Sequence, residues 1–244
     1  MGIIAWLLLL AGALLPALLI VAWAYYRDRL PEPPPVVIKT LLLGCVITIP
    51  ILIVEIILGV ILGIEIEFGM QSFIDALLVS FVIAALTEES FKFCVLHFYS
   101  ARQSAFDEVF DGIVYGVAAS LGFALIENVM YVLAAAADGG MGHGILVIIV
   151  RALTAVPMHA SCGVIMGACI GFSKIRKKPS WAIAGLLLAI FLHGVYDTFV
   201  FSMELPGLED VVLGLLALGF IGTTIAGVVI SILLVIILRK KQLA

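Results

Sequence analysis

Of the 244 residues, 64% are hydrophobic and only 12% are charged, and the mean hydropathy is +1.28. A soluble globular domain is about half apolar and a quarter charged, so that class is excluded. At ~20 apolar residues per crossing, the composition suffices for about seven membrane spans and little else, and any chemistry must be built from residues inside the bilayer. The thirteen basic residues never gather into a basic face, which excludes a nucleic-acid partner. Cys45, Cys94, Cys162 and Cys169 all fall in apolar runs, so no disulfide framework is expected.

Apolar runs long enough to cross occur at about 3–24, 39–63, 72–98, 110–137, 144–172, 181–202 and 211–238. The first has no basic residue before it and is too long for a secretory signal, so it reads as an uncleaved anchor. The segment Leu30 to Pro35 is a short stiff connector. The second run holds a lone acid, Glu55, which either serves a substrate route or pairs with Arg151.

The third run carries Thr-Glu-Glu-Ser-Phe-Lys-Phe at 87–93. On a helix Lys92 is the i+4 neighbour of Glu88 and the i+3 neighbour of Glu89. One lysine cannot neutralise two carboxylates, and a carboxylate kept ionised beside a water is a general base. An ion-pair cluster that only fixes helix packing is the plainer reading. In the fourth run Gly116, Ser120, Phe123, Glu127 and Tyr131 share one stripe, followed by Asn128. Its small residues allow close helix approach, and Phe123 reads as packing.

The fifth run has Arg151, Pro157, His159 and Cys162, with Gly163, Gly167 and Gly171 at four-residue spacing. Pro157 lacks a backbone N–H, so a kink is expected just before His159. A Cys162–His159 nucleophile pair is the weaker reading, because small thiols are ordinary packing residues. The sixth run supplies His193 and Asp197, one turn apart, where the carboxylate orients the ring.

Eleven of the thirteen basic residues sort into alternate connections: Arg27, Arg29 and Lys39; Arg102; Lys174, Arg176, Lys177 and Lys178; Arg239, Lys240 and Lys241. The other connections hold Glu65, Glu67, Asp138, Glu204, Glu209 and Asp210. The positive-inside rule then predicts an outside N-terminus, a cytoplasmic C-terminus and an odd number of crossings. The expected fold is all-α: one integral membrane domain over 1–244, a bundle of about seven helices, with a four-helix catalytic core at about 72–202. The two remaining bases, Lys92 and Arg151, lie inside spans with Glu55, Glu88, Glu89, Glu127 and Asp197. Each costs about 2.5–3.5 kcal/mol at a helix centre, or on the order of 20 kcal/mol for all of them before pairing. A chain that only had to span would not carry this, so a polar site facing the bundle interior is expected.

Four successive runs thus carry E-E-x-x-K (Glu88, Glu89, Lys92), F-x-x-x-E-N (Phe123, Glu127, Asn128), a mid-helix His159 after Arg151, and H-x-x-x-D (His193, Asp197). That ordered set, over about 72–202, resembles the PrsW family of intramembrane proteases, which belongs with the CAAX prenyl proteases and the Aph-1 subunit of gamma-secretase. The resemblance implies cleavage of a membrane-anchored protein, such as an anti-sigma factor cut near its extracellular side. By analogy with the CAAX proteases, Glu88 activates water, His159 stabilises the oxyanion, and His193 with Asp197 supplies the second donor. Glu127 stands where those enzymes have His, and it could share a proton with Glu88. Gly163 stands where they have Asn.

A metal-free glutamate mechanism is expected, with no cofactor. Zinc on Glu88 or Glu89, Glu127, His159 and His193 is the alternative, although the H-E-x-x-H arrangement is absent. A proton-coupled carrier, a non-catalytic scaffold and a seven-span receptor are the competing classes. The substrate and the oligomeric state are not written in the sequence.

Overall fold

The computed structural model describes residues 2–64 and 70–242. Glu65 and Glu67, two of the acids in the connections that lack basic residues, lie outside the described residues. Within the described residues the regular structure is entirely helical, as a lipid environment requires of a chain that closes no β-barrel. Five helical stretches there are long and apolar enough to cross a membrane: Ile3–Arg27, Pro34–Leu62, Val109–Arg176, Ser180–Ser202 and Asp210–Lys241.

Local chemistry explains where these stretches start and bend. Helix α1 (Ile3–Arg27) is 25 residues, about 37 Å, ample for a hydrocarbon layer of about 30 Å. Helix α2 (Pro34–Val46) opens on prolines, which donate no N–H where none is needed. Pro50 then leaves the Val46 carbonyl without an i+4 donor, and the chain is interrupted at Ile47 before α3 (Thr48–Leu62). Beyond the undescribed residues, Ser72 and Asp75 form a reciprocal capping box that starts α4 (Phe73–Leu78).

From there to Arg102 the helix is not uniform. A π-helical segment, Val79–Ala85, precedes α5 (Leu86–Cys94), and a second one, Val95–Tyr99, succeeds it. Widened turns of this kind alter the rotation of the next helical turns and recur at functional sites. The E-E-x-x-K motif lies on α5, between the two.

Helix α6 (Val109–Leu153) changes direction at Gly140, where φ is 77° and ψ is −173°, a conformation reserved for glycine. The chain turns back so that Gly144 packs against Ala136 and Arg151 reaches Glu127. A second break falls at Thr154, ahead of α7 (Ala155–Arg176). Pro157 therefore sits in the first turn of α7, where its missing donor costs nothing, and the interruption comes earlier than the proline alone would place it. Helices α8 (Ser180–Ser202) and α9 (Asp210–Lys241) complete the bundle.

The first half of α6 is the axis: every residue from Phe110 to Leu125 is buried. It packs against α1, α2 and α7, while the outer faces of α1, α3 and α9 present Leu7, Leu8, Val60, Leu215 and Ile225 outward. The α6–α7 crossing is made backbone to backbone. A Cβ on Gly167 would strike the Gly112 carbonyl oxygen and stand 2.7 Å from the Gly112 carbonyl carbon. Gly167→Ala should therefore destabilise the purified protein by at least about 2 kcal/mol. Gly222→Ala, which meets nothing within 4 Å, should be neutral or mildly stabilising. Thermal unfolding in detergent reads the difference, and equal midpoints for the two variants would refute the crossing.

Candidate active site

Helices α5, α6, α7 and α8 bring their ionisable side chains to one place. Lys92 Nζ lies 2.9 Å from Glu88 Oε2, 2.7 Å from Glu89 Oε1 and 3.3 Å from His159 Nδ1. Its ammonium also sits 4.4 Å from the centre of the Phe123 ring, so Phe123 offers a cation–π face as well as packing. An ammonium only donates, so His159 Nδ1 must accept. The proton of a neutral His159 ring is then on Nε2, which donates to Glu127 Oε2 at 2.8 Å.

Glu127 is also gripped by Arg151, whose NH2 group is 2.6 Å from the same oxygen. Arg151 Nε donates to Asn128 Oδ1 at 2.6 Å, and Asn128 in turn donates to the Ala13 carbonyl of α1. The Arg151 guanidinium lies over the Tyr131 ring at 4.3 Å. Glu127 is thus held by Arg151 and His159 with no hydrogen bond to Glu88, which removes the shared-proton arrangement expected from sequence. Glu55 makes no pair with Arg151, which is already committed to Glu127. Its carboxyl is within electrostatic reach of Glu88, Glu127, Lys92 and His193.

His193 Nδ1 is 2.9 Å from Glu89 Oε1, and its Nε2 is 3.2 Å from Asp197 Oδ2 and 3.9 Å from Glu88 Oε2. The rings of His159 and His193 stand edge to face with centroids 5.1 Å apart. The two carboxylates of the motif differ in access. Glu89 is 0% exposed, with Oε1 shared by Lys92 and His193 and Oε2 buried without a partner among the described residues. Glu88 keeps a small opening, at 5% exposed, and its Oε1 takes no hydrogen bond. Cys162 contacts Met158 and the Ala189 carbonyl rather than His159, so it is packing.

One donor atom from each of Glu88, Glu89, His159 and His193 lies within 4.8 Å of the others, and all four residues are buried. The group suits a zinc ion in ligand type and spacing, with Glu89 in the place that sequence reasoning offered to Glu127. Lys92 touches three of those four residues.

The sequence pattern of the PrsW family intramembrane metalloproteases matches residues 32–237. The chain belongs to that family. Protease PrsW of Bacillus subtilis (strain 168) is 34% identical over 200 residues, covering 80% of this chain and 84% of that protein. Protease PrsW of Geobacillus kaustophilus (strain HTA426) is 34% identical over 199 residues, covering 80% and 81%. Protease PrsW of Oceanobacillus iheyensis is 35% identical over 193 residues, covering 78% and 81%. No solved structure matches the chain. As a PrsW-family protein it is a multi-pass membrane protease, and its spans and buried polar centre fit that class.

Sequence reasoning missed the role of Tyr131 and the bridge from Asn128 to α1. The i+4 spacing of Tyr131 from Glu127 was the available signal, but the arginine between them arrives from beyond the Gly140 turn.

Proposed function

We propose that this protein hydrolyses a peptide bond in a membrane-anchored protein, with Glu88 as the base that activates water. The observation that carries the reading is the convergence of Glu88, Glu89, His159 and His193 around Lys92, buried inside a bundle of apolar helices. Glu88 has the free oxygen and the access. Lys92 supplies the counter-charge to its carboxylate, and Glu89 anchors both Lys92 and His193. Glu88 takes a proton from water, and the hydroxide adds to the scissile carbonyl carbon. His193 Nε2 is the donor best placed for the oxygen that gains charge: its contact with Asp197, at 3.2 Å, is looser than the 2.8 Å bond that holds His159 Nε2 on Glu127, and His159 Nδ1 only accepts, from Lys92. Collapse of the adduct expels the amine, which takes the proton from Glu88. His159 and Arg151 with Glu127 and Asn128 position this group from the α6–α7 side, and residues 72–202 form the catalytic core.

The sorting of basic residues into alternate connections supports an outside N-terminus, a cytoplasmic C-terminus and seven crossings. Arg239 donates to the Arg27 carbonyl, and Lys174 to the Gln103 carbonyl, so those connections share a face. The resemblance to Protease PrsW supports a regulatory substrate of the anti-sigma-factor kind, anchored by a single span.

A second reading has zinc held by Glu88, Glu89, His159 and His193. Two features favour it: the donor set, and a charge imbalance in which Glu88, Glu89, Glu127 and Asp197 face Lys92, Arg151 and a His193 ring that carries a proton on each nitrogen to serve Glu89 and Asp197. A bound zinc ion would supply Lewis acidity and lower the pKa of a coordinated water. Lys92 would then have to leave its position among the ligands. Purified protein incubated with single-span substrates, with and without a chelator, tests both. Cleavage that persists in chelator by metal-free protein is expected. Cleavage lost in chelator and restored by zinc would replace the first reading with the second. No cleavage of any such substrate under either condition would count against both.

A further inference from the structure

A second polar cluster lies far from Glu88 in the bundle, at the end where the basic connections gather. Asp28 closes α1, Glu32 lies in the connector after it, and Glu108 and Asp111 begin α6. Asp28, Glu32 and Asp111 are 6%, 3% and 0% exposed. One carboxylate oxygen from each of Asp28, Glu108 and Asp111 lies within 4.8 Å of the others. Oxygens that share one cation at ~2.3 Å fall no farther apart than about that distance.

Part of the donor capacity is used by the fold. Asp111 Oδ2 accepts from the Asp107 and Glu108 N–H groups at 2.7 Å, and Asp28 Oδ1 accepts from Leu30 N–H and from Gln242 Nε2. Gln242 also donates to Glu108, and Tyr115 donates to Glu32. The remaining oxygens, Asp28 Oδ2 and Asp111 Oδ1, are buried and have no partner among the described residues. Nor does any described Lys or Arg form an ion pair with the four acids, since Lys174 donates to the Gln103 carbonyl instead. Four acidic side chains are thus gathered around two orphaned acceptor oxygens, with Lys174 the nearby cation but not in direct contact with them.

We propose that Asp28, Glu108 and Asp111 bind a hard divalent cation, Mg²⁺ or Ca²⁺, which ties the end of α1 to the start of α6. The donors are all oxygen, with no imidazole or thiolate, which suits these ions and not zinc. Waters complete the coordination, and Gln242, bridging Asp28 and Glu108, brings the end of α9 to the same place. The site is independent of the catalytic reading.

The test uses the full chain in detergent after chelator treatment, titrated with MgCl2 or CaCl2 and monitored by calorimetry and thermal unfolding. One saturable equivalent and a raised unfolding midpoint are expected with at least one of the two ions. Asp28→Asn and Glu108→Gln should each weaken binding by about tenfold or more, equivalent to about 1.4 kcal/mol. Asp111 and Glu108 form the reciprocal cap of α6, in which Asp111 accepts two backbone N–H groups and the amide oxygen left by Glu108→Gln keeps the other half, so Asp28→Asn and Glu108→Gln carry the decision. Glu88→Gln should leave the response intact. No saturable response to either ion would overturn the proposal. So would an unchanged response in both Asp28→Asn and Glu108→Gln, or a response abolished by Glu88→Gln.

Discussion

Glu88→Gln should lower substrate cleavage by about 10²–10⁴-fold, the usual contribution of a positioned base. The thermal midpoint of the protein should change little. The amide is isosteric and its oxygen can still accept from Lys92, while the Lys92–Glu89–His193 contacts do not involve Glu88 at all. The variant loses the proton-accepting oxygen and one of the two carboxylate charges on Lys92, and Glu89 remains as the counter-charge. Glu89→Gln should behave differently, because Oε1 of Glu89 serves Lys92 and His193 together. That variant should lose stability along with activity. Cleavage of a reconstituted single-span substrate, measured beside the unfolding midpoint, separates the two. A Glu88→Gln protein that cleaves at the wild-type rate would dismiss Glu88 as the base.

Lys92→Met should be the most damaging single change to the site. It strands Glu88 and Glu89, removes a donor to His159 and leaves the Phe123 face bare. Removing one partner of a buried ion pair costs about 3–5 kcal/mol, much of it from the charge left behind. The variant should unfold at a much lower temperature, or fail to accumulate in the membrane. Adding Glu89→Gln to Lys92→Met should recover part of the loss, because it removes one of the stranded charges. A double-mutant cycle on unfolding midpoints measures that coupling. Additive losses, or a Lys92→Met protein as stable as wild type, would show that the cluster is not organised by this lysine.

The helical runs were legible because lipid leaves few options: a backbone that crosses must close its own hydrogen bonds, and apolar length then marks the element. The 3–24 run corresponds to Ile3–Arg27 and the 181–202 run to Ser180–Ser202, with ends shifted by the local caps. Glu88, Glu89 and Lys92 were readable as neighbours because they sit within one turn. The contacts that span elements were not. Arg151 meets Glu127 only because Gly140 reverses the chain, and Lys92 meets His159 across 67 positions of sequence. The π-helical turns on either side of α5 have no signature in hydropathy, since the same apolar residues serve either winding. Asp28, Glu32, Glu108 and Asp111 were not singled out from the sequence, because nothing in their spacing reveals that the ends of α1 and α9 meet the start of α6.

At its crossing with α7, the α6 axis rests main chain on main chain, Gly112 against Gly167. No rotamer can flip there to make room, so α6 and α7 serve as the fixed jaw of the enzyme. The contact between the first π-helical segment and α8 is of another kind. The π-helical segment meets α8 through the ring of Phe81 lying over Gly194, a contact that swings aside on two side-chain torsions. Of the two contacts the α6–α7 crossing is the stiffer, and it sets where α7, and His159 on it, stands against α6.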